Sequence, residues 1–184
     1  MFKKSIIISA LSVALFFQAC SDKKSDENSM VASNKFTLND LNKQSHTVVK
    51  EGNNFKFDET KGKVILFDIF ATWCPPCRAE ASHLASLQEK YKEDLIVVGL
   101  SIQKDITETE LTDFKNEYDA NYMMLVSDEN RRLASLIAST LDGVETDFPI
   151  PLMAMYKDGN LVNYYVGATP EEFIETDIKK ALGK

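Results

Sequence analysis

Trp73-Cys74-Pro75-Pro76-Cys77 sets two thiols three positions apart, a spacing at which a disulfide can close across one helical turn. The stretch before it, Lys63-Val64-Ile65-Leu66-Phe67-Asp68-Ile69-Phe70, is apolar and rich in branched side chains, which predicts a short buried strand. After it Ala81, Leu84, Leu87 and Tyr91 recur at helical spacing. The two cysteines therefore stand where a strand runs into a helix, and the chemistry expected of them is thiol-disulfide exchange.

Two blander uses of the same spacing carry less weight. Half of a structural zinc site needs two further ligands, and the chain offers only Cys20, His46 and His83. His83 is too far along the helix from Cys77 to close a small chelate, so no metal is expected. A purely structural disulfide would link distant segments, whereas this one closes a tiny loop and gains little closure entropy.

The order of the thiols assigns their work. Cys74, just before the first helical turn, faces free backbone N–H groups and the positive end of the helix dipole, which favour the thiolate and make it the nucleophile. Cys77, one turn further in, is expected to be less exposed and to attack the mixed disulfide. Pro75 and Pro76 suit a helix start, where a pre-set φ helps and a missing N–H costs nothing. Asp68 is a lone carboxylate in an apolar strand. It either points to water from an edge strand or lies beneath the cysteines, where burial would raise its pKa and let it take the proton of Cys77.

Elsewhere the pattern supports a fold more than it adds chemistry. Phe36 to Leu38, His46 to Val49, Leu95 to Leu100 and Tyr122 to Val126 read as strands. Thr107-x-x-Glu110 is a capping box for a helix with Leu111, Phe114 and Tyr118 on one face. A further helix carries Leu133, Leu136 and Ile137, and Thr169-Pro170-Glu171-Glu172 is expected to cap the last one, which Gly183 ends. Met153 and Met155 read as core, His83 as a solvated helix residue, and His46 as a strand or turn residue. Trp73, beside the nucleophile, can form contact surface for a protein substrate.

The N-terminus speaks to compartment. A basic Met1-Phe2-Lys3-Lys4, an apolar Ile6 to Phe17 and Ala19-Cys20 make a secretory signal, too short to cross a bilayer, which takes about 20 residues. Cysteine after the small residue resembles a bacterial lipoprotein signal; ordinary cleavage leaving a free thiol is the alternative. Residues 1–19 are read as signal peptide, 20–34 as lipidated cysteine and polar tether, and 35–184 as one domain. Loss of Lys3 and Lys4 takes the formal charge from -7 two units lower. So acidic a domain is a poor ligand for nucleic acid or anionic headgroups, and membrane attachment must come from lipid.

Val64 through Arg78 resembles the active-site segment of the thioredoxin superfamily, and Ala71 through Glu80 is similar to the TlpA/ResA-like branch of membrane-tethered thiol:disulfide oxidoreductases. Asp68 matches the buried acid of thioredoxin. Ile150-Pro151, a strand from Leu152 to Lys157, the turn Asp158-Gly159, a strand from Leu161 to Val166 and then Gly167 form a second match far downstream. The resemblance implies an α/β fold with a central mixed β-sheet flanked by helices, an N-terminal β extension and a central strand-helix insertion. It implies that Pro151 is cis and faces the cysteines; Pro149 competes for that place but lacks the downstream spacing. Trp73, Pro75, Pro76 and Ile150 would then touch substrate. It further implies no cofactor, protein substrates with disulfides or thiols, apocytochrome c among them, and a membrane thiol-electron transporter as donor. The location implied is the periplasmic side of a bacterial membrane. The branch usually carries a proline where Ala81-Ser82 stand, so its helix kink is not expected here. The rivals are a disulfide oxidant or isomerase, and a non-catalytic binding module that uses the pair as a clip.

Overall fold

The structure, a computed structural model, describes residues 34–57, 61–145 and 147–184. Cys20, the signal and most of the tether lie outside these residues. Twelve elements alternate as β1 (Lys35–Asp40), β2 (Ser45–Glu51), β3 (Asn54–Phe57), β4 (Val64–Phe70), α1 (Pro75–Lys90), β5 (Leu95–Ser101), α2 (Glu108–Glu117), β6 (Met123–Val126), α3 (Asn130–Ala138), β7 (Leu152–Lys157), β8 (Asn160–Val166) and α4 (Glu171–Ala181). All strands join one mixed sheet in the order β3-β2-β1-β6-β5-β4-β7-β8.

β4 is buried along its whole length. It pairs in parallel with β5 and antiparallel with β7, so it is a central strand and its polar residue cannot be an edge position. Alternation along the strand sends Val64, Leu66 and Phe70 to a core under α1, α2 and α4 that also holds the two cysteines. Ile65, Phe67 and Ile69 point to a second core formed with α3 and with Phe36, Leu38, Val48, Phe55 and Phe57 from the first three strands. Asp68, between Phe67 and Ile69, therefore faces the cysteine side.

β1 joins the sheet by antiparallel pairing of Asn39 with Val126 on β6. The Phe55 N–H donates to the Gly159 carbonyl at 3.0 Å, bringing β3 to the β7–β8 turn from the far end of the strand order, so the sheet curls over its second core. That turn is built from Asp158 and Gly159, both at positive φ, the geometry that matches the twist of a tight hairpin.

The N-terminal β extension has a third strand, β3, that periodicity did not reveal. A strand-helix unit, β6 with α3, lies between α2 and β7. α1 runs from Pro75 to Lys90 without interruption. One helix cap needs correction. Pro170, not Thr169, is the N-cap of α4, with no side-chain bond to the helix; the Thr169 hydroxyl donates instead to the Gly167 carbonyl at 3.3 Å, and its N–H donates to the Glu80 carboxylate at 3.1 Å.

Candidate active site

The C-terminal end of β4 and the first turn of α1 hold the cysteine pair. Cys74 is the N-cap of α1 in extended conformation, Pro75 and Pro76 occupy the first helical positions, and Cys74 and Cys77 are joined as a disulfide. The Cys77 N–H donates to the Cys74 sulfur at 3.4 Å. A helix-terminal amide is thus already aimed at the Cys74 sulfur, an arrangement that favours its thiolate. The Cys74 sulfur lies 3.7 Å from the Ile150 carbonyl oxygen, directly before the cis Ile150–Pro151 bond. The Gly167 N–H donates to the Pro151 carbonyl at 2.8 Å and ties this loop to the end of β8. Sequence positions 74, 77, 150 and 151 are thereby brought to one place.

Burial departs from expectation in one respect. Cys74 and Cys77 are 3% and 4% exposed, so in this oxidised state the cysteine expected to attack is no more open than the one expected to resolve. Ile150 covers the Cys74 sulfur. The surface around the pair is apolar instead, with Trp73 61% exposed, Pro75 and Pro76 exposed and Ile150 half-buried. The loop is pinned from below. The Thr72 N–H donates to Gln103 Oε1 and Arg78 Nε donates to the Thr72 carbonyl, each at 2.6 Å, while the Arg78 guanidinium stacks 5.3 Å from the Tyr118 ring centre.

Behind the cysteines lie two buried carboxyl groups. Asp68 is 4% exposed and accepts one hydrogen bond, from the Tyr122 hydroxyl at 2.9 Å. Burial pushes its pKa up to about 7, against the pull of that bond. Glu80, 3% exposed, stands one turn beyond Cys77 on α1. Burial also raises its pKa to about 7; the Thr169 N–H opposes the rise and the charge of Asp68 adds to it. Its Oε2 has no hydrogen-bond partner, and Glu80 lines a cavity of about 250 Å³ between α1 and the Ala168-Thr169-Pro170 loop. Sequence reasoning gave Glu80 no role. The available signal is that it falls three residues after Cys77 and four before Leu84, on the stripe that packs against the sheet.

His83 is exposed and His46 is buried in the other core, so neither joins the pair. Among the described residues no group of three or more His, Cys, Asp or Glu comes together to hold a metal, and no helix is long and apolar enough to cross a membrane.

A Cys-x-x-Cys pair at a helix N-terminus, faced by a cis-proline on a mixed sheet, defines a thioredoxin-like thiol:disulfide oxidoreductase. The chain belongs to the Redoxin family, whose profile matches residues 25–182. Among curated relatives, the thiol-disulfide oxidoreductase ResA of Bacillus anthracis is 26% identical over 130 residues, 71% of this chain and 70% of that protein. ResA of Halalkalibacterium halodurans is 23% identical over 173 residues, covering 92% and 88%. A thioredoxin-family thiol:disulfide interchange protein from Chlorobium tepidum has the same fold, with a TM-score of 0.63 at 20% identity over 82% of this chain and 95% of that one.

Proposed function

We propose that this protein is a periplasmic thiol reductant, held to a bacterial membrane by lipid on Cys20, that passes electrons to protein disulfides. The observation that carries the redox reading is the closed Cys74–Cys77 pair at the helix cap, with the Cys74 sulfur against the Ile150 carbonyl before cis-Pro151. The Cys74 thiolate attacks one sulfur of a substrate disulfide, forming a mixed disulfide and releasing the first substrate sulfur. Cys77 gives its proton to Asp68, and its thiolate then attacks the Cys74 sulfur. The second substrate sulfur leaves, two electrons have passed to substrate, and the protein is left with the disulfide seen here. Asp68 releases its proton afterwards. Trp73, Pro75, Pro76 and Ile150 form the surface a polypeptide meets.

Similarity to the tethered branch supports the haem-site cysteines of apocytochrome c as the substrate class and a membrane thiol-electron transporter as the source of electrons. The direction of flow rests on the residues between the thiols. Strong oxidants stabilise their reduced thiolate, which raises the potential, whereas Pro75 and Pro76 add neither charge nor side-chain donor. The expected potential lies nearer the ~-270 mV of thioredoxin than the ~-120 mV of a strong oxidant. Equilibration with glutathione reads it directly, and a pair that stays reduced in an oxidising buffer would show an oxidant. Membrane partition that survives Cys20→Ala would exclude the lipid anchor.

A further inference from the structure

The tyrosine that reaches Asp68 comes from outside the strand-loop-helix unit that carries the cysteines. Tyr122 stands immediately before β6, buried in the cysteine-side core, 54 positions from the carboxylate it serves. Its approach depends on Gly99, which pairs with Asp68 across the β4–β5 ladder. A Cβ on Gly99 would stand 2.8 Å from Met124 Sδ, 3.2 Å from Phe70 Cε1 and 3.3 Å from Tyr122 Cε2. Each is closer than ordinary packing, so the missing side chain is the space through which the ring reaches over β5 to β4. A phenylalanine would fill that space equally well. The hydroxyl adds one thing, a donor aimed at Asp68 Oδ2.

We propose that Tyr122 is a positioning residue for the resolving half of the exchange, its hydroxyl holding the Asp68 carboxylate turned and ready to take the Cys77 proton, with Gly99 as the gap that admits it. This rests on the reading of Asp68 as that proton acceptor. A hydrogen bond from a neutral hydroxyl to a buried carboxylate favours the ionised form, because nothing else there solvates the charge. Among the described residues the surroundings supply no substitute. On β5 and β7 the residues paired with Asp68 are Gly99 and Met153, neither titratable. α1 contributes the cysteines and Glu80, whose charge opposes ionisation of Asp68. The fully buried residues of α2 and α4 are apolar, and the half-buried Asp177 of α4 accepts the Tyr165 hydroxyl of β8 at 2.7 Å.

The test uses the reduced protein and dithiobis-nitrobenzoate, which releases one coloured thiolate when Cys74 attacks and a second when Cys77 resolves. The rate of the second release is followed against pH. In Tyr122→Phe its rise is expected to move about one unit to higher pH while the plateau is kept, because the carboxyl ionises later but remains a base. In Asp68→Asn this rise through neutral pH is lost, leaving only the climb set by ionisation of Cys77 itself at higher pH, and adding Tyr122→Phe to that variant changes nothing further. In wild-type protein labelled with 13C-tyrosine, the Tyr122 ring resonance should titrate with the midpoint of the resolving step. If Tyr122→Phe superimposes on wild type while Asp68→Asn loses the rise, Tyr122 only fills space and the proposal is overturned with the role of Asp68 intact. If Asp68→Asn keeps the wild-type profile, the role of Asp68 fails first and the proposal falls with it.

Discussion

Asp40 and Asp68 are aspartates on strands of the same sheet, 5% and 4% exposed, and their surroundings treat them in opposite ways. Asp40, at the end of β1, lies on the face that points to the second core. One of its oxygens accepts the N–H groups of Asn42 and Gln44 at 2.8 and 2.9 Å, and the other meets His46 Nε2 at 3.2 Å. Burial pushes its pKa up, yet Gln44, His46 and Asn42 together outweigh it and hold the carboxyl below its ordinary value. Asp68 has one donor for both oxygens and a second carboxyl nearby, and its pKa rises to about 7. Low exposure alone therefore does not raise a carboxyl: Asp40 lies near the surface with three donors, Asp68 deep in the core with one. What raises the pKa of Asp68 is deep burial with a single donor, the setting that the proposed proton transfer from Cys77 requires.

The same contrast runs through the two cores. The second core is aromatic and self-contained, with Phe55, Phe67 and Tyr156 meeting edge to face at 5.6 and 5.9 Å, an arrangement that adds stability and little chemistry. The cysteine-side core keeps Asp68, Glu80 and the Tyr122 hydroxyl out of water, which costs stability and places two carboxyls that titrate near neutral pH in the same core as the cysteines.

The largest effect that could break this division is all-or-none. Cys77→Ser should leave mixed disulfides on Cys74 with nothing to resolve them, and Cys74→Ser should trap few, as counted by non-reducing electrophoresis of adducts with substrate proteins. Equal trapping by the two variants would mean that the helix cap does not select the nucleophile.

Next in size is Asp40→Ala. It leaves a buried His46 and two turn amides without their carboxylate, and the expected loss of stability in urea is about 3 kcal/mol. The rate of thiol exchange per folded molecule should stay at the wild-type value. A variant that folds normally but exchanges slowly would place the second core in the mechanism and end the contrast.

The parts of this arrangement that the sequence discloses are those whose partners are near in the chain or whose residue type is out of place. The cysteines, the two prolines and the capping box of Thr107 and Glu110 are local, and both reciprocal bonds of that box are present. Asp68 betrays itself as a charge among apolar neighbours, whereas Pro151 is disclosed only by the family resemblance, which its distance from the following turn fits. Glu80 does not, because an acid on a helix usually faces water and only the closing Thr169 loop buries it. Tyr122 reads as one more aromatic at a strand edge, since its partner comes from across a parallel ladder. The Asp40–His46 pair depends on hairpin register, in which Leu38 stands opposite His46, and composition carries no trace of that. Thr169 is the instructive miss: Thr169-Pro170-Glu171-Glu172 suits a helix cap, but the Thr169 hydroxyl turns back to the Gly167 carbonyl and its amide to Glu80.

The smallest effect sharpens the comparison through the pH dependence of stability. The Asp68 carboxyl has its folded pKa raised from 3.8 to about 7, so its stabilising contribution is full below the unfolded value and is lost as pH rises through the folded one. Glu80 moves in the same direction, from 4.5 to about 7. Asp40 is lowered, so its contribution is present above 3.8 and lost only as the solution becomes strongly acidic. Between about pH 5.5 and about pH 7.5 Asp40 is silent while Asp68 is being forced to ionise in the core. The oxidised wild-type protein should lose about 1 to 2 kcal/mol more across that interval than Asp68→Asn, which has no charge to bury. Urea unfolding at the two pH values measures the difference. Parallel curves for the two proteins would show that Asp68 titrates normally when folded, and the distinction between a held carboxylate and a poised one would then rest on Glu80 alone.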